Sequence, residues 1–220
     1  MAKAVFWDWS ATLADEADFD RNVCESMEKE YARKNKITLV EASKAFKDIL
    51  KKTENTWKWH DYINHAKEMG VDWKMAHIAN IDLLEVLPNV EKVLKYSRRK
   101  GYYNCLTTNA VEEVIKFRMG RLVNQFDLIV GSDTVKALKS KGKHLKYVIE
   151  KLDIEPSMSF SVGDELSQDI TPAKKLGFKT VLCDYNKEMA YYHTEHFSKK
   201  IVNTKPDYVI NNLIEIKKII

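Results

Sequence analysis

Val5-Phe6-Trp7-Asp8-Trp9-Ser10-Ala11-Thr12-Leu13 is a short apolar run broken by a carboxylate and small polar residues. The run begins at Ala4, and its unbroken apolar character predicts a strand buried on both faces of a parallel sheet. In open α/β sheets the ligand crevice lies beyond the carboxyl ends of the strands, so Asp8 is expected at the lip of such a crevice. Taken alone, Asp8 also reads as an ordinary turn residue after a strand. Three later stretches bear on the choice.

From about Ala17 to Glu85 the pattern is helical throughout. Val23, Met27 and Tyr31 recur at intervals of four; Thr38 with Glu41 forms a capping box ahead of Ala42, Ala45, Phe46 and Ile49. A third helix is predicted from about Thr56 to Gly70, with Trp59, Ile63 and Ala66 inward. Asp72 is placed to cap a fourth, with Trp73, Ala76, Ile78 and Leu83 inward. No strand-type alternation is read in this span. Beyond it, Pro88 suits the first turn of a helix that ends at Gly101. Strand-like runs then follow at Tyr102–Thr108, Phe126–Val130, Met158–Val162, Phe178–Cys183 and Tyr208–Ile210, with helical spacing between them. This alternation predicts an α/β fold, a mostly parallel sheet covered by helices on both faces. The expected division is residues 1–16 and 86–220 for the α/β unit and 17–85 for a small all-helical unit inserted after the first strand.

Composition narrows the function classes. With 220 residues the chain can hold one full core and a small accessory unit. The net charge of +4 is dispersed over Lys-rich faces with interleaved acids, without the basic-aromatic ladder of a nucleic-acid binder. Three scattered cysteines, Cys24, Cys105 and Cys183, form neither a disulfide framework nor a thiolate metal site, which fits a reducing, cytoplasmic setting. The predicted first strand starts within a few residues of Met1, leaving no room there for a signal segment. No apolar run is long enough to span a bilayer.

The candidate chemistry lies at the strand ends. Thr108-Asn109 closes the second apolar run, where a hydroxyl, an amide and free helix N–H groups can bind an anion; both residues are also ordinary caps. Gly163-Asp164 closes a third, with Asp169 one loop later. Gly163 is read as allowing a sharp turn, and Asp169 as either a second crevice acid or the N-cap of a helix carrying Ile170, Ala173 and Leu176. Clustered carboxylates repel unless a cation or proton joins them, and all-oxygen ligation suits Mg²⁺. Between these lies Lys139-Ser140-Lys141-Gly142-Lys143, where a lysine can hold a phosphate or neutralise the acids. Spacing alone does not choose among them.

Asp8-Trp9-Ser10-Ala11-Thr12, then Thr108-Asn109, then Lys141 with Tyr147, then Gly163-Asp164 with Asp169, resemble the four ordered motifs of the haloacid dehalogenase-like (HAD) hydrolases. The helical stretch is similar to that family's cap between the first and second motifs. The resemblance implies a Rossmann-like, doubly wound sheet with a helical cap. It implies Asp8 as a nucleophile that forms an aspartyl-phosphate, with Thr108, Asn109 and Lys141 holding the phosphoryl oxygens. It also implies Mg²⁺ placed by Asp8, the backbone carbonyl of Ser10, Asp164 and Asp169. A Mg-dependent phosphatase of a small phosphorylated metabolite follows as the expected function.

The sequence departs from the family at Ser10, where its phosphatases usually carry an acid that protonates the leaving oxygen and then activates water. Ala11 likewise replaces the usual Gly, which restricts the loop to backbone angles open to an L-residue. These departures leave two alternatives. One is a weakly active or inactive relative that binds a phosphorylated ligand or partner. The other is a phosphonatase- or dehalogenase-like hydrolase, the former wanting a cap lysine such as Lys51, Lys52 or Lys58. In the cap, Trp59 is expected to pack into the core and His60 to be an exposed polar residue.

Overall fold

The structure is a computed structural model that describes residues 1–185 and 204–220. Strand β1 (Ala4–Trp7) is followed by a two-residue strand β2 (Ala14–Asp15) and four helices, α1 (Ala17–Asn35), α2 (Leu39–Thr53), α3 (Tyr62–Met69) and α4 (Trp73–Ile78). Strand β3 (Glu85–Val86) then pairs antiparallel with β2. The remaining elements are α5 (Val90–Arg99), β4 (Tyr103–Thr107), α6 (Glu112–Met119), β5 (Leu128–Val130), α7 (Ser132–Val135), α8 (Lys143–Leu152), β6 (Phe160–Gly163), α9 (Thr171–Lys175), β7 (Lys179–Cys183) and β8 (Tyr208–Ile210). The main sheet has six strands in the order β5-β4-β1-β6-β7-β8. Every neighbouring pair is parallel. The α/β expectation holds, with a helical insertion after the first strand.

Strand β1 shows why the apolar run is unbroken. Its side chains alternate between faces, and both faces are covered. Val5 and Trp7 enter a core with Leu94, Leu106, Phe160, Val181 and Ile216. Ala4 and Phe6 enter the opposite one with Cys105, Val130, Leu145, Val148 and Phe178. Full burial of a side chain such as Phe6 contributes roughly 1.5–3 kcal/mol. Trp7 also has a polar handle to satisfy, and its Nε1 donates to Asn104 Oδ1 at 3.1 Å. Asn104 is itself buried and donates to Leu94 O at 2.9 Å.

The insertion has its own core, in which Phe19, Val23, Met27, Phe46, Tyr62 and Met69 meet Val111 and Val114 of the α/β unit. The Thr38–Glu41 capping box forms, and Asp72 caps α4 through Lys74 N at 2.8 Å. Gly70 closes α3 in the left-handed region at φ 64°. Among the described residues no helix is long and apolar enough to cross a membrane.

Several local expectations are corrected. The third helix begins at Tyr62 rather than Thr56, because Thr56–His60 is a turn whose His60 bridges Ala110 in the loop between β4 and α6. Ile78 and Leu83 are exposed at 52% and 41%, since α4 ends at Ile78 and the chain leaves the bundle for β3. Glu85–Val86 is a strand, although too short to show alternation. Pro88 lies outside α5, which starts at Val90. Ala11 adopts φ 52°, a left-handed conformation that a glycine takes at little cost and an L-residue takes at roughly 1–2 kcal/mol, so the loop is not confined to the ordinary angles of an L-residue.

Among the described residues three histidines are buried: His65, His77 and His144. Burial, aided by Arg118, holds His77 down at about 4, and burial with the Lys139 ammonium holds His144 at about 3. Burial also lowers His65. An unfolded imidazole titrates near 6.5. Below that value the unfolded imidazoles therefore bind protons that the folded ones refuse, and the histidines' share of the stability is lost as the pH drops from about 6.5 toward 4, while the buried carboxyls of Asp164 and Asp169, held above their ordinary range, act in the opposite sense. Among the described residues the ring nitrogens of His144 make no well-formed hydrogen bond, with only the Thr108 backbone nearby, so His144→Leu should come close to the wild type at pH 8 and lose less on acidification, measured by thermal melts at both pH values. A steeper fall in the variant would contradict this.

Candidate active site

Three strand ends meet at one edge because β1 pairs with β4 and β6 in register, Trp7 opposite both Leu106 and Val162. The residues that follow, Asp8, Thr108 and Asp164, are thereby delivered side by side. The pairing extends one residue further, with Asp8 N donating to Val162 O at 2.9 Å. Asp8, Thr108 and Asp164 line a single cavity of about 220 Å³ that reaches toward the helical insertion.

Asp169 joins them from a π-helical turn, Leu166–Ile170, ahead of α9. It is not an N-cap. Its Oδ2 accepts from Glu165 N at 3.2 Å, and carboxylate oxygens of Asp8, Asp164 and Asp169 all lie within 4.8 Å of one another. Gly163 makes this possible by leaving space rather than by turning sharply, since a Cβ there would stand 2.1 Å from Asp169 Cγ.

The lysine in the site is Lys139, which corrects the placement of Lys141. Lys139 Nζ contacts Asp8 Oδ1 and lies 2.5 Å from Asp169 Oδ1, and its side chain is 5% exposed. Lys141 is exposed and does not line the cavity. The cause is local: Ala137 and Leu138 are buried and draw Lys139 inward, and the tight turn Lys139–Lys141 sends the residue two positions on to the other side. Asn109 holds this turn, its Oδ1 accepting from Lys139 N at 2.8 Å, while Gln168 Oε1 accepts from Ser140 N at 2.8 Å. Asn109 thus anchors the lysine loop as well as lining the cavity. Thr108 is buried, and its Oγ1 accepts from Ala110 N at 3.2 Å.

The electrostatics follow from burial. Asp164 is held well above the carboxylate range by desolvation, then by the neighbouring Asp8 and Asp169. Burial pushes Asp169 up to about 7 against the pull of Lys139. Burial opposes the charge on Lys139, but Asp169 and Asp8 outweigh it and hold the ammonium above its ordinary range. Three carboxylates around a single ammonium leave negative charge uncompensated, and a hard divalent cation with all-oxygen ligation fits that donor set.

Ser10 lines the cavity with its hydroxyl donating to Glu16 Oε2. Glu16, a residue the sequence reading did not single out, is buried and also accepts from Trp9 Nε1 at 2.8 Å and Arg118 Nη1 at 3.1 Å. Desolvation raises its carboxyl, against Arg118. On the helical side Asp20, Cys24, Phe46, Leu50, Tyr62 and His65 line the cavity. Trp59 and His60 are half-buried at its wall and stacked at 5.7 Å, rather than core and exposed residues respectively. Among the described residues the cavity has no lysine from the insertion: Lys51 pairs with Asp48, Lys52 with Glu68, and Lys58 lies over Trp57.

The chain resembles known proteins along most of its length. It is 25% identical over 240 residues to a glyceraldehyde 3-phosphate phosphatase of Pyrococcus furiosus, covering 99% of this chain and 92% of that protein. It is 30% identical over 154 residues to a phosphoglycolate phosphatase of Pseudomonas fluorescens, covering 68% of this chain and 51% of that protein. A solved HAD phosphatase from Thermococcus onnurineus superposes with a TM-score of 0.79 at 27% identity, over 99% of this chain and 97% of that one. The family model for haloacid dehalogenase-like hydrolases matches residues 5–183, a span that holds every residue of the cavity. This protein belongs to the haloacid dehalogenase-like hydrolases.

Proposed function

We propose that this chain is a phosphomonoester hydrolase acting on a small phosphorylated metabolite through a phospho-Asp8 intermediate. The observation that carries this reading is the delivery of Asp8 to the carboxyl edge of the central strand, against Lys139 and beside Asp164 and Asp169, in one cavity. The phosphatases among its relatives support it.

In this reading an Asp8 oxygen attacks phosphorus, the bond from phosphorus to the leaving oxygen breaks, and that oxygen takes a proton. Water then attacks the phosphorus of phospho-Asp8, releasing phosphate and restoring the carboxylate. Lys139 and Thr108 hold the phosphoryl oxygens. Asp8, Asp164 and Asp169, with the Ser10 carbonyl, would hold Mg²⁺. When bound, the metal offsets the repulsion between an anionic nucleophile and an anionic substrate. The helical insertion serves as the cap that covers the leaving group and excludes water.

The departure at Ser10 is met by Glu16. The hydroxyl stands where the family's acid stands, and its hydrogen bond to Glu16 gives it a carboxylate behind it with which to pass a proton in either direction. This favours an active enzyme over a binding-only relative. Carbon–halogen displacement by a carboxylate needs no acidic metal site, and imine chemistry needs a cap lysine that the cavity does not present, so neither accounts for the residues assembled here.

Three variants test the reading. Asp8→Asn should melt within a few degrees of the wild type and lose more than about 10³-fold in turnover of p-nitrophenyl phosphate; retained metal-dependent turnover would mean another nucleophile. In Gly163→Ala the new Cβ collides with the Asp169 carboxylate, so addition of Mg²⁺ should raise the melting temperature of the wild type but not of the variant. Equal stabilisation of both would detach Asp169 from the metal. Glu16→Gln should slow hydrolysis of alkyl phosphates by about 10²-fold and of p-nitrophenyl phosphate much less, because only poor leaving groups need the proton. Rapid-quench traces on that variant should show phospho-Asp8 accumulating as a burst; equal losses on both substrates without a burst would leave Glu16 a structural residue.

A further inference from the structure

We infer that the cavity takes phosphomonoesters whose leaving group is uncharged and hydroxyl- or carbonyl-bearing, and rejects those whose leaving group carries a carboxylate or a second phosphate. This inference rests on the phosphatase reading and goes further by choosing between substrates that its relatives divide among themselves.

With the phosphoryl group on Asp8, the rest of a substrate extends through the cavity toward α1, α3 and α6. Among the described residues the charged groups there are Glu16, Asp20 and Arg118. Arg118 is the cation that would greet an anionic leaving group, but it is already committed. Its Nη1 lies 3.1 Å from Glu16 Oε1 and its Nη2 2.8 Å from Asp20 Oδ1, with its side chain 3% exposed. The faces of the guanidinium are occupied too, by Phe19 at 5.0 Å and Tyr62 at 4.7 Å, and His77 Nε2 accepts from its Nε at 3.3 Å. Lys139 is engaged in the same manner by Asp8 and Asp169 at the other end.

The remaining basic groups do not change this balance. Burial keeps His65 and His77 neutral near pH 7. His60 sits at the wall, stacked on Trp59. An anionic leaving group would therefore be desolvated beside two carboxylates that share one guanidinium, a placement that costs far more than it returns. A hydroxyl or aldehyde meets the opposite situation. Asp20 and Glu16 are hydrogen-bond acceptors, Asp20 remains 15% exposed in its side chain, and Tyr62 Oη, which donates to Asp20 Oδ1 at 2.8 Å, completes a polar wall suited to neutral donors such as a hydroxyl or a hydrated aldehyde. A site built on hydrogen bonds to neutral groups rejects a charged isostere strongly, because burying an unpaired charge is the larger cost.

Glyceraldehyde 3-phosphate and 3-phosphoglycerate differ by little more than an aldehyde against a carboxylate, and they form the test pair. With the full chain and Mg²⁺, kcat/KM should favour the aldehyde by about 100-fold or more, and phosphoglycolate should be as poor as 3-phosphoglycerate. Equal values, or a preference for the carboxylate, overturn the inference while leaving the phosphatase reading intact. If neither compound nor p-nitrophenyl phosphate is turned over, the phosphatase reading itself falls and takes this inference with it. In Asp20→Asn one partner of Arg118 loses its charge, so the preference for the aldehyde should shrink by about tenfold. A ratio unchanged in Asp20→Asn overturns the part assigned to the Arg118 cluster, and a ratio that collapses only in His60→Asn would move the selection to the wall.

Discussion

Asp8, Asp164 and Asp169 can be buried together only because Lys139 is buried with them. Taking an ion out of water costs several kcal/mol even after the surroundings relax. Here three acids crowd one corner of the sheet, and the lysine touches two of them. The acids outnumber the ammonium, and burial first, then the neighbouring acids, holds the carboxyls of Asp164 and Asp169 above their ordinary range. Much of the local structure serves this cluster. Gly163 has no side chain so that Asp169 can approach, a π-helical turn aims Asp169 inward, and Asn109 and Gln168 pin the lysine loop.

The strands were legible in the sequence because a strand covered on both faces writes its burial as an apolar run, and the acid that ends the run marks the ligand edge. Helix caps were legible for the same kind of reason: Thr38 with Glu41 and Asp72 act on neighbours in sequence. What escaped was decided by contacts distant in sequence. Lys139 and Lys141 are alike in a lysine-rich loop until Asn109, thirty residues earlier, fixes the turn. Glu16 reads as the start of a helix until Arg118 arrives from α6 to bury it beside Ser10. Trp59 and His60 carry a helical spacing, yet their backbone is held out of the helix by the bridge from His60 to Ala110 in the loop after β4. Neither residue type nor spacing encodes these choices.

Two polar clusters of unlike character therefore share one cavity. At the sheet edge the charge is negative in excess and suits a cation with a phosphoryl group. Toward the helices, Arg118 joins Glu16, Asp20 and His77 into a network in which each charge already has a partner. Ser10 stands between the two, two residues from Asp8 in sequence and tied by its hydroxyl to the second network. The substitution that looks like a loss in the motif is thus accompanied by a carboxylate supplied from outside it.

The chain leaves the α/β unit through β2 and returns through β3, and these two strands pair with Asp15 opposite Glu85. Exit and entry are thus a single strand spacing apart, whatever lies between them. The strands and their ordered ends are continuous in space without the intervening chain, although Val111, Val114 and Arg118 of the α/β unit pack against it. The junction separates the helices from the strand ends along the chain while leaving the two in contact across the cavity. A change within α1–α4 reaches that cavity through Asp20, Tyr62 and His65, while Asp8, Asp164, Asp169 and Lys139 stay on the sheet side.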